Sequence, residues 1–303
     1  MKRFRIYGAV ILAMIFWSLT FIWFKIANET YRPVTVVFFR LLFAVIVLTL
    51  YLLFTRKFVR IRKEDRWLFI ILSVFEPFIY FLGESFGLTY VSSTTGSVII
   101  STIPVISALG AWLIFRERLK LINYTGIVLS FIGILIFIMK TDGTLSFNYK
   151  GLLLLGLAVV AGSGYNITLS KLAGNYNPVF IVNVQNIIGG VLFLPLFLIS
   201  DLNTFLNTTH TLKSILPVIE LSIFASCGAF ILFAFAVRNI GISKAVVFTN
   251  CVPIFTALFA FLLVGDKLTF QNLFGIIIVV AGLSLSQANS RKKARVETAV
   301  LTG

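Results

Sequence analysis

The segment PVISALGAWLIFRERL, residues 104–119, returns 149 positions later as PIFTALFAFLLVGDKL, residues 253–268. Pro104 meets Pro253, Ala108 meets Ala257, and Glu117-Arg118-Leu119 meets Asp266-Lys267-Leu268. The register runs on without a gap: Asn123 meets Asn272, Gly126 meets Gly275, and Gly133 meets Gly282. Upstream, Arg32-Pro33-Val34 meets Asn177-Pro178-Val179 at an offset of 145. Matches among apolar residues arise easily by chance. Matched prolines, glycines and acid–base pairs do not, so the chain is an internal duplication.

Hydropathy says what is duplicated. Of 303 residues 59% are hydrophobic and only 12% charged, with a mean hydropathy of +1.01. A soluble domain carries about twice that share of charge. The charges cluster between long apolar runs, and a helix needs roughly 20 such residues to span a bilayer. In lipid the backbone must satisfy its own hydrogen bonds, so the runs read as helices. Spans are expected at 6–26, 34–54, 67–89, 94–115, 122–139, 150–172, 179–199, 214–237, 243–264 and 270–288. The first is read as a span and not a cleaved leader, because no small-residue site follows it. The fold expected is an all-α integral membrane protein of ten transmembrane helices. Residues 1–141 form the first repeat, 142–290 the second, and 291–303 a basic, disordered cytoplasmic tail. Five is odd, so the second repeat enters the membrane upside down. Such inverted repeats are common in secondary transporters, whose sites lie near the midplane between the halves.

The net charge of +15 does not point to nucleic acid, because the positive residues flank apolar runs. With the N-terminus inside, nineteen of the 26 Lys and Arg fall on the cytoplasmic side and six outside, Arg40 lying within a span. Positive residues favour the cytoplasmic face, so both termini are expected there, with Glu117 inside and its counterpart Asp266 outside. Cys227 and Cys251 both fall within spans and offer neither a disulfide framework nor metal-ligand spacing.

With these residues in place the chain resembles the EamA-type transporters of the drug/metabolite transporter superfamily. The resemblance rests on the five-plus-five repeat and on a Pro helix followed by an acid–base–Leu motif. Its stretches are Ile103-Pro104 through Glu117-Arg118-Leu119, Val252-Pro253 through Gly265-Asp266-Lys267-Leu268, and Phe86-Gly87-Leu88-Thr89-Tyr90. It covers about residues 6 to 288. Phe115-Arg116 departs from the Leu-Gly that usually precedes the first acid. The resemblance implies a multi-pass carrier of the bacterial cytoplasmic (inner) membrane, exporting amino acids or related metabolites. It also implies a cavity lined by helices one to four and six to nine, with five and ten outside.

Ionisable groups at membrane depth are costly and usually face a cavity or a partner. Arg40 and Glu84 are placed at one depth, near the outer ends of helices two and three. They read either as a structural ion pair or as an outer gate in which the guanidinium takes a carboxylate. Glu76 is deeper, precedes Pro77, and forms with Tyr80 and Glu84 one stripe at four-residue spacing. An apolar setting favours the neutral form of a carboxyl. Glu76 is therefore either a proton-coupling site, where a proton competes with a cationic substrate group, or a packing residue. Asn166, Gln185, Asn186 and Asn250, with Tyr165, form a second polar set, Gln185 being the repeat counterpart of Arg40. Such amides line a cavity or act as interhelical glue. Trp17 stands mid-span, either to stack on substrate or to pack in lipid. Pro104 and Pro253, each about 15 Å into its helix, are matched kinks or hinges.

His210 is the only histidine and falls in a loop, and the chain has no zinc motif and no phosphate-cradling loop. No enzyme, metal or cofactor is expected. The expected partners are a small-molecule substrate and the lipid bilayer, with the protein a monomer or homodimer. The leading expectation is a secondary transporter of a small polar metabolite, an amino acid or related compound, moved by alternating access with proton coupling. The alternative is a lipid or lipid-linked flippase of the same architecture.

Overall fold

The computed structural model of the chain describes residues 2–107, 121–138, 148–265 and 269–286. The expectations placed on Glu117, Asp266 and the tail 291–303 lie outside the described residues.

Among the described residues the regular structure is helical throughout. Seven helices are long and apolar enough to cross a membrane: α1 (Phe4–Asn28), α2 (Pro33–Phe54), α3 (Lys63–Leu88), α6 (Tyr149–Leu172), α7 (Pro178–Leu206), α8 (Leu212–Ile240) and α9 (Ile242–Val264). Three apolar helices are shorter as described: α4 (Ser93–Ser107), α5 (Leu121–Phe137) and α10 (Phe270–Ser286). Outward side chains of these ten helices, such as Val128 and Leu135 of α5 and Leu153 of α6, are exposed and apolar. In a multi-pass membrane protein this is the surface that lipid covers.

The helix starts follow from local chemistry. Pro33 and Pro178 stand in the first turns of α2 and α7, where a missing N–H costs nothing. Asn177 caps α7, its Oδ1 accepting from Val179 N at 2.9 Å. Arg32 caps nothing at α2. That helix is capped instead by Asp201 from the end of α7, its Oδ2 accepting from Thr35 N at 3.0 Å and Thr35 Oγ1 at 2.9 Å. This corrects one boundary: α7, expected to stop at 199, runs through a wide turn at Phe197–Asp201 to Leu206. Asp201 looks like a loop charge in sequence but is buried as a capping group.

The helices cross in matching pairs. α1 lies against α8 and α9, and α6 lies against α3 and α4. Ser18 Oγ on α1 donates to Val252 O at 3.1 Å, and Ser163 Oγ on α6 donates to Ile103 O at 3.2 Å. Ser18 and Ser163 are 145 apart, and Ile103 and Val252 are 149 apart. Both acceptor carbonyls precede a matched proline. A proline within a helix frees the carbonyl one turn back; the bond joining these helices is made instead by the carbonyl beside it.

α5 and α10 pack chiefly on each other, with smaller contacts to α4 and α9. Asn123 Nδ2 donates to Ser286 O at 2.7 Å, and Asn272 Nδ2 donates to Phe137 O at 3.1 Å. Both donors and both acceptors are 149 apart, so the two antiparallel helices make the same bond to each other in reverse. Glycine allows the close approach. A Cβ on Gly133 would stand 2.6 Å from Val279 N, and one on Gly275 would stand 2.9 Å from Phe137 Cα.

Candidate functional site

α3 breaks where it meets the site. Proline lacks an N–H and pushes the residue before it out of the helical region. Glu76, just ahead of Pro77, accordingly has φ −147° and ψ 119° in the middle of the helix. Wide π-type turns run through Val74–Ile79 of α3 and Leu221–Ala229 of α8, and these stretches correspond at the 149 offset. Such turns recur at functional sites in helices. α4 and α9 are also interrupted: a turn at Ser101–Thr102 precedes Pro104, and a tight 3-10 stretch, Val246–Cys251, precedes Pro253.

These interruptions surround one cavity with about 650 Å³ of empty space, its open mouth included. Its wall comes from α1, α2, α3, α4, α6, α8 and α9. Seven of the residues singled out from sequence reach it: Trp17, Arg40, Glu76, Tyr80, Glu84, Tyr165 and Asn166. Gln185, Asn186 and Asn250 do not. All three are buried, and the first two support the wall from behind. Gln185 Oε1 accepts from the Tyr165 hydroxyl at 3.4 Å, and Tyr165 faces the cavity. Asn186 Nδ2 donates to Ser226 O at 3.2 Å. Thus α7, implied by the resemblance to line the cavity, stands one layer out.

Arg40 is 1% exposed. Its Nε donates to Ser226 Oγ at 2.9 Å, and its guanidinium lies 4.2 Å above the Phe81 ring. That is within cation–π range. Among the described residues no carboxylate approaches the guanidinium within 4 Å, and the ion pair found is Arg32–Asp201, at 3.9 Å. Arg40 and Glu84 therefore do not form the direct pair that was one of the two readings, although they interact through space. Glu84 accepts a 3.0 Å bond from the Tyr80 hydroxyl one turn away. Glu76 is 7% exposed and takes no hydrogen bond from the protein among the described residues.

The rest of the wall is aromatic. Trp17 packs edge-on to Phe230 at 5.3 Å and tilted on Phe233 at 4.9 Å, so it faces the protein interior and not lipid. Phe81 and Phe230 are repeat counterparts whose rings meet at 6.4 Å. Sequence reasoning missed Phe81, Phe230, Phe233 and Ser226. With 32 phenylalanines the aromatic count gives no contrast. The signal available was the 149 offset joining Phe81 to Phe230.

Residues 5–139 and again 149–287 match the EamA-like transporter family. The uncharacterized transporter YcxC of Bacillus subtilis (strain 168) is 25% identical over 295 residues, covering 95% of each chain. An uncharacterized transporter of Archaeoglobus fulgidus is 27% identical over 288 residues, covering 93% of this chain and 96% of its own. A solved crystal structure shares the fold with a TM-score of 0.69 at 15% identity, covering 94% of this chain and 96% of that one. With both halves matched and a charged cavity enclosed between apolar helices, this chain is a multi-pass membrane protein that belongs to the EamA-like transporter family.

Proposed function

We propose that the protein is a secondary carrier for a small polar metabolite of the amino-acid type or a related amine, exported by alternating access and coupled to protons. The observation that carries this is the pairing, in one cavity, of a buried guanidinium without a carboxylate partner and a buried carboxyl without a hydrogen bond among the described residues. Charges held at that depth without partners suit a ligand that brings both signs. Arg40 offers a planar fork for a carboxylate, and Glu76 offers a seat for a proton or an ammonium group.

Ten crossings in two inverted halves are part of the same reading. The reciprocal Asn123 and Asn272 bonds support it, because they set the start of each counterpart helix against the end of the other, as halves of opposite orientation do; the Ser18 and Ser163 bonds show the two-fold relation between the halves. The breaks ahead of Pro104 and Pro253 are the hinges of the cycle, and irregular backbone at a cavity is the usual place for them in carriers. The positive-inside distribution supports cytoplasmic termini, and the bacterial inner membrane belongs to the same reading.

The test is counterflow of pooled radiolabelled amino acids and simple amines in proteoliposomes, with and without a pH gradient. Gradient-driven movement that loses its pH dependence in Glu76→Gln is the expected result. An unchanged pH profile in Glu76→Gln would remove that residue's role. Absence of counterflow for the whole pool would overturn the carrier reading.

A further inference from the structure

Three charged groups share the cavity: Arg40 from α2, and Glu76 and Glu84 from α3. All three are at least nine-tenths buried, and each interacts electrostatically with the other two. The other titratable groups facing them are the Tyr80 and Tyr165 hydroxyls and, on the Arg40 side, the Cys227 thiol of α8. Tyr80 is committed to Glu84 and Tyr165 to Gln185. Among the described residues α1, α4 and α9 bring no charged side chain to the wall, and α7 behind it brings amides. The local charge is therefore set by one arginine and two glutamates.

A net charge held in a low-dielectric interior carries a large desolvation penalty, which a neutral set avoids. Arginine does not give up its proton in proteins. The set is then neutral in two states. In the empty state one glutamate is ionised against Arg40, and one proton sits on the other. In the occupied state both glutamates are ionised, and a ligand of net charge +1 makes up the balance. The aromatic side chains of Trp17, Phe230 and Phe233 in the same wall suit such a cation with an apolar body.

We propose that Arg40, Glu76 and Glu84 act as one charge-balanced set in which Arg40 is a resident counter-charge, so that the cavity exchanges one proton for one substrate of net charge +1. This rests on the carrier reading, replaces the carboxylate fork at Arg40 by a resident counter-charge, and narrows the substrate to monocations: amines without a free carboxylate, or amino acids with a basic side chain. The ammonium group takes the place of the carboxyl proton, and that proton leaves through the mouth to bulk water. A zwitterion has no net charge and leaves the proton in place. Its binding moves no proton.

The experiment is calorimetric titration of the full-length protein in detergent, repeated in buffers of different ionisation enthalpy. The probes are 2-phenylethylamine, a monocation at neutral pH, and phenylalanine, its zwitterionic relative. The wild type is expected to release about one proton per bound amine. Glu84→Gln leaves Arg40 and Glu76 already balanced, so amine affinity falls at least ~10-fold. Arg40→Gln combined with Glu84→Gln restores amine binding to within a few-fold of wild type, again with one proton released, now from Glu76. Glu76→Gln, alone and with Arg40→Gln, follows the same pattern and serves if a Glu84 variant does not fold. A group with a purely structural role would not be rescued by removing a second charge. Amine binding without proton release, or a double variant as weak as the single one, overturns the proposal. So does binding of phenylalanine alone, or of neither probe. If counterflow of the pooled solutes persists in those cases, the carrier reading stands and only the charge rule falls.

Discussion

Ser18 and Ser163 occupy corresponding places in the two halves of the chain, and each bonds the carbonyl ahead of a matched proline. Each also bonds the carbonyl four residues back in its own helix, Met14 O at 2.7 Å and Val159 O at 2.9 Å. Arg40 and Gln185 correspond just as closely in sequence but differ in chemistry. At the 149 offset Glu76 meets Ala225, Tyr80 meets Ala229, and Glu84 meets Phe233. The scaffold bonds are kept twice, while every charge of the cavity belongs to the first half. Frame and chemistry have thus been separated: the duplicated part holds helices together, and the part that diverged faces the cavity.

The largest expected effect breaks the comparison on its charged side. Truncating a buried charged contact costs about 2–5 kcal/mol, and each 1.4 kcal/mol is tenfold. Glu84→Gln should weaken binding of 2-phenylethylamine at least ~10-fold. Gln185→Met, in the second half, removes a neutral bond to Tyr165 worth about 0.5–1.5 kcal/mol, so its loss should be only a few-fold. Calorimetry on both variants checks this. Equal losses would mean that the two halves contribute equally and that the asymmetry is superficial.

The same division explains what could be read without a structure. Long apolar runs placed α2 and α6 within a residue of their observed ends, because a bilayer allows little else. The end of α7 was misplaced because Asp201 is a cap for α2, a role visible only once the two helices meet. Arg40, Glu76 and Glu84 were legible because charge at depth is rare and costly. Whether Arg40 and Glu84 touch was not legible, since equal depth does not fix rotation about the helix axis. Ser226 was invisible for another reason. It corresponds to Pro77, so the repeat gave no hint that a hydroxyl would stand there to hold Arg40 Nε.

A coupled exchange near Pro77 gives the second prediction. Pro77 packs on Gly189, and the corresponding pair in the other half is Ser226 with Ala44. A Cβ on Gly189 would collide with the rigid Pro77 ring, whereas one on Gly190 would meet nothing within 4 Å. Overpacking of this kind costs about 1–3 kcal/mol, while glycine to alanine in an open helix position gains up to about 1 kcal/mol. Gly189→Ala should therefore destabilise the protein, and Gly190→Ala should leave it unchanged or more stable, in mixed-micelle unfolding followed by helicity. Two adjacent glycines changing stability with the same sign would mean that α3 does not press on α7 at Pro77.

The smallest effect probes the frame itself. Interhelical hydrogen bonds in membranes average about 0.6 kcal/mol. Ser18→Ala and Ser163→Ala each remove one such bond and one local bond to their own helix, in matched surroundings. Their losses in the same unfolding assay should each be about 0.6 kcal/mol and should agree within about 0.5 kcal/mol. Both serines are buried against helices that break at a matched proline. A loss several times larger at Ser18 alone would place α1 among the diverged elements and move the boundary between frame and chemistry inward. Equal small losses would leave that boundary at the cavity wall, with Ser18 behind it and Trp17, one residue away, in front.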